Sequence, residues 1–388
     1  MAADDPTCPV ADKLESNDTV KPYHDRDRFL KSLKNLNESS RTQGVIPQLK
    51  PHFISLSKKG KTSAAYLCSP DTGHIATGLT DLGWGCGYRN CQMLMTFLQR
   101  QRTEDAPLLD IVININGLQM IIEQAWKEGF DPEGAEQLKY HVYRTRKWIG
   151  TTEVYTLLTY LGIRCTILDF DKRTGPNDSH DAMFDWIQAY FEDGIEKNAN
   201  DIPSPNTNAL DHLMASAKNK RQIVHITDRP PIYLQHSGHS RTIIGIESLS
   251  DGTRNLIMFD PGHRMLGTYK RKVSQPEDDM YNSGLLSVNN EEENADIEAE
   301  EEPASKGVFG KIQQWTTVPP SNLLRSFRVS SKAIAKNKQY QLLVLGEVQQ
   351  TSHPDKKFKN LPWNPSSTYI LTAEERERRK KIGSFRVV

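Results

Sequence analysis

One cysteine of this chain occupies a position where a thiol can act as a nucleophile. Cys86 lies in the run GWGCGYRN (residues 83–90), between two glycines that allow a tight corner and leave the sulfur uncrowded. Apolar side chains at positions 93, 94, 97 and 98 then recur at helical spacing. The pattern predicts Cys86 near a helix N-terminus, where free N–H groups and the helix dipole favour the thiolate. It is also typical of a helix cap beside a buried structural cysteine.

A nucleophilic thiolate needs a base and a third group that orients the base. Two predicted strands, Ser240–Glu247 and Asn255–Asp260, flank a turn signal at residues 249–253. If these strands form an antiparallel hairpin centred on that turn, paired residue numbers sum to about 499, which places His239 opposite Asp260. A β-bulge would shift this register by one residue. The sequence therefore predicts a pair of His239 and Asp260.

Other histidines compete for the role of base, since the chain has eleven. His236 lies near the same site, but the proposed ladder gives it no carboxylate partner. His263 follows the aspartate in the turn sequence DPGH and remains an alternative. His225 lies in an apolar run, as core histidines do, and His74 lies on a glycine-containing loop that would line the cleft. We therefore favour the histidine of the predicted pair.

Composition narrows the functional class. The 388 residues carry no net charge and 37% are hydrophobic, which is typical of a globular core with polar segments attached. Zero net charge argues against a nucleic-acid partner held by general charge. The chain has no run of about 18 apolar residues and no secretory-signal pattern, which argues against a membrane partner.

Cysteine usage indicates a reducing compartment. The five cysteines are odd in number and form no C-x-x-C pair. We therefore expect a cytoplasmic or nuclear protein without a metal site and without a cofactor.

Three separated motifs resemble those of the papain-like cysteine peptidases that include the Ufm1-specific proteases and their zinc-finger-bearing, ubiquitin-directed relatives (peptidase family C78). The motifs are DLGWGCGYRN at 81–90, QHSGHSRT at 235–242 and FDPG at 259–262. The stretch KWIGTTE at 147–153 and a closing strand at 340–348 extend the resemblance over residues 46–350. It implies a papain-like α+β fold, in which a helix-borne cysteine packs on an antiparallel sheet carrying histidine and aspartate. It also implies Cys86 as nucleophile, His239 as base and Asp260 as the orienting carboxylate.

The resemblance is closer to the ubiquitin-directed branch. The Ufm1-specific enzymes place their histidine directly after the Asp-Pro pair, where this chain has Gly262. The resemblance thus implies a deubiquitinating protease that cleaves (iso)peptide bonds after the C-terminal glycine of ubiquitin or of polyubiquitin chains. A protease for Ufm1 or another ubiquitin-like modifier remains open. A non-catalytic ubiquitin-binding module is a further alternative, against which the intact motifs argue. Autophagy proteases that process Atg8 share the Gly-Trp-Gly-Cys corner, but residues 87–90 do not resemble its continuation.

Reading the ubiquitin tail, with its arginines and two glycines, requires a narrow channel and acidic groups along it. Asp131 and Glu153 match positions that resemble tail-binding acids, although Asp131 also precedes a proline as a helix cap does. Trp84 either roofs this channel or packs beside the helix start.

The oxyanion hole is expected to combine the N–H of Cys86 with one side chain. Papain-like enzymes often place a glutamine six residues before the cysteine, where this chain has Thr80. The candidates for the missing donor are Gln235, Tyr66 and His74.

The sequence also predicts the limits of the fold. Residues 1–45 are polar and are expected to be flexible apart from a short helix near 28–36, and residues 46–350 form the peptidase domain. Within that domain, residues 271–307 are predicted to be an acidic, disordered insertion whose charge would suit a basic partner. Residues 351–388 are predicted to be a charged tail with an exposed helix at 374–381.

Overall fold

A computed structural model describes residues 26, 28–103, 106–171, 173, 175, 178–195, 223–270, 319–349 and 361–387. Its principal helices are Val45–Lys58, Cys86–Leu98, Ile115–Lys127, Pro132–Gln137, Thr151–Tyr160 and Asp181–Glu192. Shorter helices are Glu38–Ser40 (a 3-10 helix), Gly267–Lys270, Pro320–Leu323, Ser331–Ile334 and Ala373–Arg378. None of the described helices is long and apolar enough to span a membrane.

The strands are numbered in chain order. They are β1 (Arg41–Thr42), β2 (Thr62–Leu67), β3 (His74–Ile75), β4 (Arg102–Thr103), β5 (Ala106–Pro107), β6 (Cys165–Phe170), β7 (Val224–Ile226), β8 (Ile232–His236), β9 (His239–Leu249), β10 (Arg254–Phe259), β11 (Arg328–Ser330), β12 (Tyr340–Leu345), β13 (Glu347–Val348), β14 (Trp363–Asn364) and β15 (Ser384–Val387).

Nine of the described strands form one mixed sheet. Its main order is β11-β10-β9-β8-β12-β6-β15, and β2 pairs with the far end of β9 and with β7. The pairs β8–β9 and β9–β10 are antiparallel, whereas β15–β6 and β2–β7 are parallel. Strand β9 is the longest because it pairs with β8 along its first half and with β2 along its second.

The helix Cys86–Leu98 is the central helix of the core. All of its residues after Cys86 are buried, and it packs on β8 and β9. The helix Thr151–Tyr160 covers β6 and β12, and the helix Val45–Lys58 covers β2 and β7. The predicted α+β papain-like fold, with a helix-borne cysteine on a sheet that carries the histidine and the aspartate, is confirmed, although the sheet is mixed rather than wholly antiparallel.

The fold extends beyond the predicted domain limits on the N-terminal side. Residues 28–31 are helical, and Asn35 bridges to Ile113. Strand β1 pairs with β3, and the rest of the segment 1–45 lies largely outside the described residues. The predicted insertion at 271–307 lies outside them too.

Residues 361–387 of the predicted tail are described: the exposed helix is present as Ala373–Arg378, but the segment is attached to the domain. Strand β15 extends the main sheet beside β6, and Trp363 donates a hydrogen bond to the carbonyl of Leu345 (2.7 Å). The helix Ala373–Arg378 is attached through Glu375, whose two oxygens each lie 2.7 Å from the guanidinium of Arg164. Charge marks this segment as polar, but ion pairs with the domain tie it to the fold.

Candidate active site

Cys86 is the first residue of its helix. The preceding residue, Gly85, has no side chain that could cap the helix, so the first-turn N–H groups are left without a side-chain acceptor. Gly87 is required by close packing, since a Cβ there would lie 2.5 Å from the carbonyl oxygen of Ile149. Both glycines therefore serve close approach, whereas the left-handed corner belongs to Gly83, with φ of 84°.

A buried ion pair fixes the loop that leads into the nucleophile. The carboxylate of Asp81 accepts hydrogen bonds from Nε of Arg89 (2.7 Å) and Nη2 of the same residue (2.8 Å). It also accepts the N–H of Gly78 (3.0 Å), and the backbone carbonyl of Asp81 accepts the N–H of Gly85 (2.8 Å). The loop and the first turns of the helix therefore form one rigid unit.

His239 and Asp260 meet, but through a different register from the predicted one. Paired residues of β9 and β10 run from Arg254–Ser248 to Ile257–Gly245, and after a bulge from Met258–Ile243 to Phe259–Thr242. The cross-strand neighbour of Asp260 is therefore Arg241, whose Nε donates to Oδ2 (2.7 Å).

The predicted contact survives the wrong register because side chains two residues apart share one face of a strand. Nε2 of His239 lies 3.2 Å from Oδ2 and 3.3 Å from Oδ1 of Asp260. Oδ1 also accepts the N–H of Gly262 (2.9 Å). The carboxylate thus receives hydrogen bonds from the imidazole, a guanidinium and a backbone N–H.

The thiol of Cys86 shares a hydrogen bond with the imidazole of His239. Because Nε2 faces Asp260, Nδ1 is the ring nitrogen available to the sulfur. Burial raises the pKa of the Cys86 thiol, but hydrogen bonds from His239 and from Ser240 outweigh it and lower the pKa to about 7.

The pKa values of His239 and Asp260 are shifted in the directions that complement the shift of Cys86. The hydrogen bond to Asp260 and then that to Cys86 raise the pKa of His239 to about 9 against the opposing effect of burial. Burial raises the pKa of Asp260, but the hydrogen bond to His239 and the other donors reverse this and hold it far below its usual range. The three groups therefore favour a thiolate, an imidazolium and a carboxylate side by side.

Cys86 differs from the other described cysteines. Cys68, Cys91 and Cys165 are completely buried, and burial raises the pKa of each thiol, to about 12 for Cys68 and Cys165. Among the four described cysteines, only Cys86 combines partial exposure with a lowered pKa. It is therefore the one suited to nucleophilic attack.

Sequence reasoning missed a buried polar link between the nucleophile and the strand of the base. Asn90 is completely buried, and its Nδ2 donates to the backbone carbonyl of Cys86 (2.8 Å) and to Oγ of Ser240 (3.1 Å). Its Oδ1 accepts the hydroxyl of Thr242 (2.8 Å). Because Oγ of Ser240 accepts a hydrogen bond from Asn90, the hydroxyl proton of Ser240 is available for a hydrogen bond to the sulfur.

The sequence held only a partial signal for this link. Asn90 follows Cys86 by one helical turn and Ser240 follows His239 directly, so both positions border predicted site residues.

The structure separates the three candidates for the oxyanion donor. Gln235 pairs with Ser240 across the β8–β9 hairpin, and its side chain lies 4.0 Å from a Cβ built on Gly150. Its Oε1 accepts the hydroxyl of Tyr233 (3.0 Å), which leaves the amide nitrogen as the donor end. That nitrogen now donates to the carbonyl of His236 (2.7 Å) and would have to turn to reach a substrate.

The other two candidates lie elsewhere. Tyr66 pairs with Ile246, which is roughly 20 Å along β9 from Ser240 at the usual rise per residue, and it stacks on His225. His74 lies behind Asp260, where its Nε2 donates to the backbone carbonyl (3.1 Å). Burial lowers the pKa of His74 to about 4. It therefore supports the aspartate as a neutral ring and does not line an oxyanion hole.

The competing histidines do not occupy the position of the base. His236 donates to the carbonyl of Ser237 (2.9 Å), and burial lowers its pKa. His263 closes the turn after Asp260 through its backbone N–H, which donates to the aspartate carbonyl (3.1 Å).

The predicted tail-binding acids are placed as helix caps. Asp131, 6% exposed, precedes the helix Pro132–Gln137 and accepts the N–H of Gly134 (3.1 Å). Glu153, 7% exposed, accepts the N–H of Gly150 (2.7 Å). Burial raises the pKa of both carboxyl groups. Each acid therefore serves its own helix in this structure.

Trp84 lies beside the nucleophile and packs edge-on against Tyr88, with ring centroids 5.7 Å apart. Its Nε1 donates to the carbonyl of Thr80 (3.0 Å), and the ring is partly exposed. It is therefore both packed and available to a ligand in the cleft.

Within the described ranges, no cluster of three or more His, Cys, Asp or Glu side chains has the arrangement of a metal site.

Comparison with known proteins places this geometry in a family. The sequence profile of peptidase family C78 matches residues 61–291, which is more than half of the chain and contains Cys86, His239 and Asp260. The chain belongs to peptidase family C78. Family membership and the arrangement of the three groups agree on a cysteine peptidase.

The curated relatives include zinc finger-containing ubiquitin peptidase 1 of Homo sapiens, which is 44% identical over 190 residues, or 49% of this chain and 29% of the relative. The Bos taurus protein of the same name is 43% identical over 190 residues. Ubiquitin carboxyl-terminal hydrolase mug105 of Schizosaccharomyces pombe is 34% identical over 187 residues, or 48% of this chain and 62% of the relative. The chain thus spans about a third of the length of the mammalian relatives it matches.

A crystal structure of UfSP from C. elegans aligns with 76% of this chain and 36% of its own, with 12% identity and a TM-score of 0.32. This likeness is too low to carry an argument.

Proposed function

We propose that this C78 peptidase is a deubiquitinating enzyme, which hydrolyses (iso)peptide bonds after the C-terminal glycine of ubiquitin. The observation that supports it most directly is the chain of hydrogen bonds from the Cys86 thiol through His239 to Asp260. This arrangement supplies a nucleophile, a base and an orienting carboxylate at the end of the sheet where β9 begins and β10 ends.

In the acylation step, Sγ of Cys86 attacks the carbonyl carbon of the terminal glycine, and the carbonyl oxygen becomes an oxyanion. Collapse of this intermediate breaks the C–N bond, and the imidazolium of His239 gives its proton to the leaving lysine amine. The product is a thioester between Cys86 and ubiquitin.

In the deacylation step, water attacks the thioester carbonyl while neutral His239 accepts a proton from it. The C–S bond breaks, ubiquitin leaves with a free C-terminal carboxylate, and the thiolate–imidazolium pair is restored. Asp260 keeps the ring oriented and stabilises its charge in both steps. The N–H of Cys86 and the amide of Gln235 are our proposed oxyanion donors.

Ubiquitin is preferred to Ufm1 for two reasons. The named relatives with 34% to 44% identity carry ubiquitin peptidase or hydrolase in their names. The residue after Asp-Pro, where the Ufm1-specific enzymes place their histidine, is Gly262, whose N–H supports the carboxylate of Asp260 (2.9 Å). We therefore assign the role of base to His239.

A panel of activity probes tests this proposal. The protein is incubated with ubiquitin or Ufm1 that carries a C-terminal electrophile, and the adduct is mapped by peptide mass spectrometry. We expect the ubiquitin probe to label Cys86 in the wild type and to leave Cys86→Ala unlabelled. Labelling by the Ufm1 probe alone would show that the substrate is Ufm1 rather than ubiquitin. No labelling by either probe would contradict the proposed activity.

A further inference from the structure

The loop that leads into the nucleophile exposes two leucines. Leu79 is 90% exposed and Leu82 is 67% exposed, which makes them the two most exposed large apolar residues among those the structure describes. Isolated exposed leucines are common on protein surfaces. Two of them on one short loop beside a reactive thiol form an apolar surface that a ligand of the site would meet. We call this surface the leucine loop (residues 77–85).

Both ends of the leucine loop are attached to the active site. At its start, the N–H of Thr77 donates to the carbonyl of Pro261 (2.8 Å), which directly follows Asp260. At its end, Gly85 precedes Cys86. The loop therefore spans the site from its carboxylate side to its nucleophile.

The backbone of the leucine loop is rigid, and it keeps both leucine side chains exposed to water. Asp81 lies between them in the chain and is buried in the ion pair with Arg89. Its carboxylate also accepts the N–H of Gly78, so the backbone is held just before Leu79 as well as just before Leu82. Trp84 is fixed as well by its hydrogen bond to Thr80 (3.0 Å). The exposure of the leucines is thus built into the loop, and binding a partner there would cost little ordering.

A third exposed apolar residue lies near the histidine. Trp148 is 51% exposed. Its ring lies beside Gly238, 4.0 Å from the position that a Cβ of that residue would take, and Gly238 belongs to the tight turn just before His239. The next residue, Ile149, contacts Gly87 at the start of the nucleophile helix. The site therefore carries exposed apolar side chains both on the loop before Cys86 and beside the turn before His239.

We infer that Leu79 and Leu82 bind the folded body of the modifier whose C-terminal tail lies in the cleft. This inference rests on the proposed function and adds the surface that selects a folded modifier over a bare tail. The reacting carbonyl must reach Sγ of Cys86, which directly follows the leucine loop, so the tail brings the body of the modifier within reach of the loop. An apolar patch on the modifier would then remove the leucines from water.

The test compares two substrates of the same chemistry. One is ubiquitin with a C-terminal fluorogenic amide, and the other is a fluorogenic peptide that carries only the ubiquitin tail. For Leu79→Ser/Leu82→Ser we expect kcat/KM on the ubiquitin substrate to fall about tenfold or more, mainly through KM, and kcat/KM on the peptide to change by less than about twofold. Ile370→Ser, an apolar residue 43% exposed in the C-terminal segment, is the matched control and should change neither.

The outcomes separate this inference from the proposed function. Normal wild-type turnover of ubiquitin, with the double variant unchanged, would overturn the leucine loop as a docking surface and leave the function intact. Equal losses on both substrates would also overturn it, because they would show a disturbed active site. A change of oligomeric state on gel filtration, without a change in KM, would assign the surface to a second copy. Absence of wild-type turnover on every modifier substrate would remove the proposed function and this inference together.

Discussion

At the scale of single residues, the order of two pKa values decides how the site works. The thiol of Cys86, with a pKa of about 7, gives up its proton more readily than the imidazolium of His239, with a pKa of about 9. Between these values the ion pair predominates, so the nucleophile is already charged before a substrate arrives. The two groups interact strongly, so the two apparent values belong to the pair.

The pH dependence of kcat/KM follows from this order. Below the lower value the thiolate is protonated, and above the higher value the imidazolium that protonates the leaving amine is lost. We expect a bell-shaped profile with its acidic limb near pH 7 and its basic limb near pH 9. Hydrolysis of the ubiquitin amide across this range, with enzyme stability checked at each pH, measures it. An acidic limb at the ordinary thiol pKa would show that the ion pair does not form.

Ser240 is the second donor to the sulfur, and its removal should weaken the thiolate. In Ser240→Ala we expect the acidic limb to move to higher pH and kcat/KM near neutral pH to fall roughly 3- to 30-fold. Ser248→Ala, at the other end of the same strand, is the control and should leave the profile unchanged. A fall in kcat/KM without any shift of the limb would assign Ser240 a structural role only.

The sequence predicted Cys86, His239 and Asp260 as the catalytic residues because each lies in a short local signal: a glycine corner, a strand start and a strand end. The residues that support them were harder to find. Asn90 and Thr242 act through a contact between a helix and a strand far apart in the chain, and Arg241 acts across the β9–β10 hairpin, whose register was predicted wrongly. Such contacts depend on tertiary packing, which local patterns do not encode.

At the scale of elements, the β9–β10 hairpin shows how a register error arises. The sequence suggested a turn centred on residues 249 and 250. In the structure, the side chain of Asp251 accepts the N–H and the hydroxyl of Thr253, and Gly252 adopts φ of 82°. The turn is therefore centred later than predicted, as an Asp-Gly signal allows. The bulge after Ile257 then moves the register back by one residue.

Variants of Glu153 test whether a carboxylate that caps a helix also binds the substrate. The Glu153 carboxylate accepts the N–H of Gly150, the N-cap residue of the helix Thr151–Tyr160, so Glu153→Lys should remove this hydrogen bond and lower the melting temperature by several degrees, on the order of 1–2 kcal/mol. Glu153→Gln retains an acceptor oxygen and should leave the melting temperature nearly unchanged.

The glutamine variant separates the two roles. If Glu153 only caps its helix, Glu153→Gln keeps kcat/KM on the ubiquitin substrate near the wild-type value. If the carboxylate also meets an arginine of the ubiquitin tail, the same variant loses roughly tenfold in kcat/KM at constant stability. The structure favours the first result, because both carboxylate oxygens are used within the helix start.

At the scale of the whole molecule, the C-terminal segment 361–387 is an integral layer of the fold. Its composition predicted an exposed charged helix, because charged residues dominate positions 374–381. In the structure this helix has no buried residue, but it also contacts the domain: Arg376 lies over the rings of Phe130 and Tyr160 and pairs with Glu128 (3.1 Å). Sequence composition alone does not distinguish such paired charges from solvated ones.

Two arginines of that helix give a matched comparison. Arg376→Gln removes the ion pair and the ring contacts and should lower the melting temperature by a few degrees, about 1–2 kcal/mol. Arg378→Gln, exposed on the same helix, should leave it unchanged. Thermal unfolding of both variants measures the difference. Equal melting temperatures would show that the segment contributes little to the stability of the domain.

The most direct test of the proposed catalytic site is kcat/KM for the ubiquitin C-terminal amide in three variants and the wild type. The structure predicts no turnover by Cys86→Ala, a loss of roughly 1,000-fold or more in His239→Ala and nearly full activity in His263→Ala. Retained activity in His239→Ala together with an inactive His263→Ala would contradict the assignment of the base, and substantial turnover by Cys86→Ala would contradict the proposed mechanism itself.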